Sequence, residues 1–179
     1  MADRNAAFVG DIPRNYDRYL GPALFYGFAD DLTERISVMP GMRILETACG
    51  TGIVTRRLAD RLRGRGSIVS TDLNEAMIAY GRAQMPAGSE HVEWQTADAT
   101  KLPFPDQSFD AVVCQFGLMF FPDKPASIRE TFRVLKPGGS YLLSVWDAIT
   151  KNPLQRIAHE TVGRFFPADP PMFYSVPFS

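Results

Sequence analysis

The chain has 179 residues, enough for one domain with a substantial core, and its 45% hydrophobic and 22% charged content is the balance of a soluble globular protein. Its 19 Lys and Arg against 20 Asp and Glu leave a net charge of −1, which argues against a nucleic-acid partner, since such a partner calls for a basic face. Two cysteines, Cys49 and Cys114, without paired spacing to either histidine rule out a disulfide framework or a zinc site; both read as small buried hydrophobes, and no metal is expected.

The opening MADRNAAFVGD is charged and has no long apolar run, so no signal peptide is expected. Ile12 to Met39 carries apolar residues at helical spacing, Leu20, Leu24, Phe28, Leu32 and Ile36, which predicts an amphipathic helix pair broken near Gly21-Pro22 and stopped by Pro40-Gly41. Arg43 to Thr47 reads as a strand and Ile53 to Leu62 as a helix; Arg56 and Arg57, with Arg61, Arg63 and Arg65, read as its solvated face and exit. Ser67 to Thr71 is a second strand. Asn74 then N-caps a helix to about Gln84, with Glu75 set against its positive end. Val92 to Thr96 and Ala111 to Cys114 are further strands, the latter opening an apolar stretch to Phe121 that is too short to span a bilayer. Pro125 to Leu135 is helical, Lys136-Pro137-Gly138-Gly139 turns the chain, and Tyr141 to Trp146 forms a fifth strand. Asn152-Pro153 starts a last helix, apolar at Leu154, Ile157, Ala158, Val162 and Phe165. Strands alternating with helices, and strand cores that are continuous apolar runs, predict an α/β fold with a mostly parallel sheet covered on both faces. The expected divisions are a helical N-terminal segment over 1–39, an α/β core over 40–150 and a C-terminal helix with a Pro-rich tail over 151–179.

Three strand ends carry chemistry. After the first comes Glu46-Thr47-Ala48-Cys49-Gly50-Thr51-Gly52, where glycines permit a tight turn that brings N–H groups and a helix N-terminus to a ligand. After the second comes Asp72, whose two carboxylate oxygens suit the two adjacent hydroxyls of a ribose. After the third comes Ala97-Asp98-Ala99, where a carboxylate suits an adenine amine. Each alone also reads as ordinary turn chemistry. Together they line one crevice at the carboxyl ends of parallel strands, where nucleotide-type ligands bind.

The runs E-T-A-C-G-T-G, S-T-D-L-N-E-A-M, Q-T-A-D-A-T-K-L-P-F-P-D-Q-S-F-D and R-V-L-K-P-G-G, in this order, resemble the class I S-adenosylmethionine-dependent methyltransferases. More narrowly they are similar to the type 11 small-molecule group, which includes ubiquinone and menaquinone biosynthesis methyltransferases. The resemblance covers about residues 12 to 147. It implies a Rossmann-like core with an N-terminal helical lid, S-adenosyl-L-methionine as cofactor, and methyl transfer to a small-molecule acceptor; the charge balance, the absence of a signal peptide and the short apolar stretch add the expectation of a cytoplasmic chain away from nucleic acid and membrane. It places Gly50 and Gly52 under the methionine part with Glu46 and Ala48 beside it, and gives Asp72 the ribose hydroxyls. Leu73 and Met77 then pack on the adenine, Asp98 and Ala99 read its edge, and Gln115 and Phe116 face the methionine end and the acceptor. Tyr16, in the lid segment, is assigned to the cofactor carboxylate, with core packing as its other reading. No general base is assigned.

The family usually has seven strands; five are read here, without the final antiparallel hairpin. The expectation is therefore a truncated product, a fragment, or a chain whose open edge a partner covers, with a homodimer through the uncovered fifth strand. One rival is a catalytically impaired remnant that serves as a binding module. A nicotinamide oxidoreductase is the other, disfavoured because Thr55 stands where the dinucleotide fingerprint needs glycine or alanine. No Lys-Ser/Thr pair follows the glycines, against a P-loop.

Overall fold

The structure is a computed structural model and describes residues 10–166 and 176–178. Its helices are α1 (Ile12–Asn15), α2 (Tyr26–Glu34), α3 (Ile53–Leu62), α4 (Glu75–Ala83), α5 (Lys124–Val134) and α6 (Pro153–Gly163). Five strands, β1 (Arg43–Thr47), β2 (Ser67–Asp72), β3 (Val92–Thr96), β4 (Phe109–Gln115) and β5 (Leu135–Ser144), lie in the order β3-β2-β1-β4-β5. All four neighbouring pairs are parallel. The chain order reverses at β1, which pairs with β2 on one side and β4 on the other, and a doubly wound sheet opens its crevice at such a point.

Strand side chains alternate between two buried layers. Ile44, Ile68, Ala111 and Val113 pack with Ala29 and Leu32 of α2 and Leu58 and Leu62 of α3. Leu45, Val69 and Val112 face the other way, onto Val134 of α5, Leu102 and Phe109. The expected α/β core, with helices on both faces of a parallel sheet, is therefore present. Asn74 caps α4 as expected, its side-chain oxygen accepting from the Ala76 and Met77 amides.

The N-terminal segment departs from the expected helix pair. It is one helical run in which Tyr16–Phe25, between α1 and α2, is π-helical and holds Pro22 inside it. A π-turn bonds i to i+5, so it winds wider than an α-turn and shifts the face presented before and after it. The buried stripe is consequently Phe25, Ala29, Leu32 and Ile36, while the expected Leu20, Leu24 and Phe28 stay exposed. The fifth strand also differs, running Leu135–Ser144 rather than Tyr141 to Trp146. Phe109 pairs with Leu135 but Ala111 pairs with Ser140, so Lys136-Pro137-Gly138-Gly139 forms a bulge within β5, with Gly138 at φ +80°. Helix α6 forms where expected, but its apolar positions are not buried: Leu154 and Ile157 stand 73% and 56% exposed. Among the described residues no helix is long and apolar enough to cross a membrane.

Candidate functional site

The turn after β1 is a run of left-handed residues: Ala48 at φ +53°, Gly50 at +54° and Gly52 at +75°. Ala48 lacks glycine's freedom there, and strain of this kind gathers at functional sites. The turn is stitched to β2 by Cys49 N–H donating to the Thr71 carbonyl at 2.9 Å and Gly50 N–H donating to Asp72 Oδ2 at 2.8 Å. The glycines do different work. A β-carbon on Gly50 would meet nothing within 4 Å, so open space lies beside it; one on Gly52 would lie 2.6 Å from the Trp94 ring. Trp94 also presses on Gly81 of α4, wedging both helices onto β3.

Two carboxylates stand at these strand ends. Asp72 Oδ1 accepts from Asn74 N–H at 2.8 Å while Oδ2 holds Gly50; burial still pushes its carboxyl up against the pull of those amides. The Asp72 carbonyl accepts from Ala97 N–H at 3.0 Å, so the third strand end is tied to the second. Glu46, 2% exposed, accepts from Thr55 Oγ1 at 2.5 Å and Ser70 Oγ at 3.4 Å. Burial raises its pKa to about 8, with Asp72 adding to the rise and the two hydroxyls and the Arg56 charge pulling the other way. Thr55, which argued against a dinucleotide, is thus the residue that clamps Glu46.

The N-terminal segment lies over this turn. Tyr16 and Phe25, stacked at 5.0 Å, join Glu46, Ala48, Gly50 and Gln115 in lining a cavity of about 40 Å³. Burial, then Asp72 and Asp17, push the Tyr16 hydroxyl well above its ordinary range. Asp17 receives Thr51 Oγ1 at 3.1 Å and the Arg56 guanidinium at 2.8 Å, and Arg56 donates to the Thr51 carbonyl at 2.8 Å. Arg57 pairs with Asp30 and lies 4.6 Å over the Tyr26 ring. Arg61 donates to the Ile36 carbonyl. The arginine row expected to be a solvated helix face is in part the dock for the N-terminal segment.

The remaining candidate residues spread outward from the cavity. Gln115 donates through Nε2 to the Phe25 carbonyl at 3.3 Å, and its buried Oε1 has no hydrogen-bond partner. Phe116, left-handed at φ +54°, stacks on Trp146 at 4.3 Å, with Phe28 edge-on to both. Leu73 is 72% exposed beside Asp72, whereas Met77 is buried at 4%. Asp98, in the exposed loop after β3, spends Oδ1 on the Thr100 amide and hydroxyl, and Ala99 is half-buried next to it. Sequence reasoning missed Asp17, Thr51, Thr55 as a ligand of Glu46, and Trp94; the glycines against Trp94 were visible, but nothing local marked the ring as their reason.

A family model of the ubiE/COQ5 methyltransferases matches residues 27–168. A ubiquinone/menaquinone biosynthesis C-methyltransferase of Bordetella avium is 40% identical over 117 residues, covering 65% of this chain and 46% of that protein. The chain thus spans about half the length of the curated relatives it matches. A chain in the complex of the Haloferax volcanii Trm112 methyltransferase activator with a methyltransferase superposes with a TM-score of 0.72 at 22% identity, covering 87% of this chain and 66% of that one. An S-adenosylmethionine-dependent methyltransferase of Mesorhizobium loti superposes at 0.56 with 28% identity, covering 64% and 51%. With its parallel five-stranded core, its glycine turn tied to Asp72 and a match over most of its length, the chain belongs to the ubiE/COQ5 methyltransferase family.

Proposed function

We propose that the crevice at the carboxyl ends of β1, β2 and β4 binds S-adenosylmethionine and that the protein transfers the methyl group to a small apolar acceptor. The observation that carries this is the Gly50 N–H to Asp72 carboxylate bond, which makes the glycine turn and the acid of the second strand one unit. The donor set suits the ligand. Asp72 offers acceptor oxygens to ribose hydroxyls, the exposed Leu73 offers an apolar surface to a flat base, and space lies open beside Gly50. Glu46 and the orphaned Gln115 Oε1 line the part of the cavity where a cationic, hydrogen-donating end would lie.

When bound, S-adenosylmethionine supplies a methyl already activated on a sulfonium. The chain's residues then need to orient and to exclude water, and no strong acid is required. The cavity beside Glu46, about 40 Å³, takes a water molecule or a few, so seating the methionine end there calls for a shift of the Tyr16 and Phe25 rings that line it, while the ribose and base lie outside it at Asp72 and the exposed Leu73. Phe116 and Trp146 stack on each other, and Trp146 also stacks on Phe178, so they form an apolar wall next to the cavity-lining Phe25; Phe28, edge-on to both and 44% exposed, presents the open part of that wall to an acceptor. The curated relatives are named ubiquinone/menaquinone biosynthesis C-methyltransferases, and a carbon of a ubiquinone or menaquinone precursor is the acceptor we favour.

Calorimetric titration with S-adenosylmethionine, on wild type and Asp72→Asn, tests this. The variant keeps one acceptor for the amides and loses the charge; affinity should fall roughly ten- to hundredfold, the range for hydrogen bonds to a charged group. Equal affinity in both proteins would remove Asp72 from the site, and no binding by folded wild type would remove the proposal.

A further inference from the structure

Glu46 is an unusual charge to bury. It is 2% exposed at the end of β1, and among the described residues it has no ion pair. Its partners are two hydroxyls, Thr55 from α3 and Ser70 from β2. Arg56 on α3 pulls the Glu46 pKa down from a distance, but its guanidinium is bonded to Asp17 and the Thr51 carbonyl and makes no ion pair with Glu46. The other titratable groups around it are acids or groups without positive charge: Asp72 on β2, Cys49 in the turn, Cys114 on β4, and Tyr16 and Asp17 from the N-terminal segment. A carboxylate taken from water without a cation or several donors is costly, and the usual resolution is to bind a proton. Yet Glu46 also lines the cavity, so a positively charged guest would find it as counter-ion.

We infer that Glu46 holds a proton while the cavity lacks a cation and releases it to solvent when a cationic ligand enters, so that capture of the cofactor is coupled to loss of one proton. This rests on the proposed cofactor site and adds to it. The balance is simple: the O–H bond of the Glu46 carboxyl breaks, the proton goes to buffer, and the carboxylate left behind faces the positive charge of the ligand. Affinity therefore rises with pH through the range where the free carboxyl titrates, and Thr55 and Ser70 act as positioning residues that keep the carboxyl turned to the cavity.

The coupling also has a ligand-free signature. A pKa raised from 4.5 to about 8 in the fold means that the folded form binds the proton more tightly than the unfolded chain. This contribution to stability is full below the unfolded value and is lost as pH rises through about 8. Glu46→Gln mimics the protonated form and should not lose it. The melting temperature of wild type should thus fall relative to Glu46→Gln between pH 5 and pH 9.

The decisive experiment is titration with S-adenosylmethionine at pH 7 in buffers of different ionisation enthalpy, on wild type and Glu46→Gln. At pH 7, below the raised pKa of the Glu46 carboxyl, wild type should release a large part of one proton more than the variant, which has no carboxyl to give it up. The ligand's own amino group is already mostly protonated at pH 7 and so adds little to this difference. Equal proton counts, or a melting-temperature gap that does not change with pH, overturn the inference and leave cofactor binding intact. Absence of any heat of binding in folded wild type overturns the proposed function and this inference together. Should Glu46→Gln not fold, the carboxyl shift of glutamate-labelled wild type decides: titration near pH 8 when free and ionisation at pH 7 when bound support the coupling, and an ionised carboxyl in the free protein at pH 7 refutes it.

Discussion

At the scale of single residues, two glycines one position apart meet opposite demands. Gly50 leaves room for something outside the protein, and Gly52 leaves room for Trp94 inside it. Both sit at positive φ, so alanine at either costs about 1 kcal/mol in backbone terms. Gly52→Ala adds a collision with an aromatic ring wedged between two helices, for which overpacking costs of about 1–3 kcal/mol are typical. Urea unfolding should therefore show Gly52→Ala destabilised by about 2–4 kcal/mol and Gly50→Ala by about 1 kcal/mol, the latter losing ligand affinity instead. Equal stability losses would mean that Trp94 yields freely.

At the scale of elements, the N-terminal run is held by few but partly buried polar ties. The Asp17 and Arg56 side chains are 13% and 20% exposed, their bond is 2.8 Å, and the same guanidinium grips the turn at Thr51. Such a pair, unlike one in full solvent, leaves an uncompensated charge when one member is removed. Asp17→Asn should cost about 1–3 kcal/mol and, more specifically, speed amide exchange over 16–25 while β1, β2 and β4 keep their protection. Unchanged exchange over that stretch would show that packing of Phe25, Ala29 and Leu32 alone seats it. The π-helical turns around Pro22 are where this run departs from regular bonding, and they are the natural place for it to bend.

At the scale of the whole molecule, β5 has one hydrogen-bonded neighbour among the described residues, and exposed apolar side chains stand near it along the chain: Phe132 at 81%, Leu143 at 38% and Val145 at 46%. Strand edges with unpaired N–H and C=O groups recruit other strands unless they are blunted, and the bulge at Lys136-Pro137-Gly138-Gly139 blunts only the beginning of this one. We propose that two copies pair along β5. Sedimentation velocity should show concentration-dependent association that a lysine at Leu143 weakens; a single monomeric species at high concentration would refute the pairing.

What the sequence by itself determined is the chemistry at strand ends: a glycine turn after β1, Asp72 after β2, Asn74 capping α4 and continuous apolar runs for strands buried on both faces. These depend on a few neighbouring residues, on φ above zero, on a cap or on a short unbroken apolar run, and are therefore local. Only the tertiary structure decided that Asp17 grips Arg56 from 39 residues away, that Trp94 is the reason for Gly52, and that Glu46 is buried without an ion pair among the described residues. It also decided which stripe of the N-terminal run faces inward, because π-turns break the 3.6-residue period on which that reading relied. The bulge in β5 belongs here too: Lys136-Pro137-Gly138-Gly139 has the composition of a turn between elements, and only pairing of Leu135 with Phe109 makes it an insertion within a strand. Local chemistry names the elements and their ends; contacts between distant segments decide what each end is for.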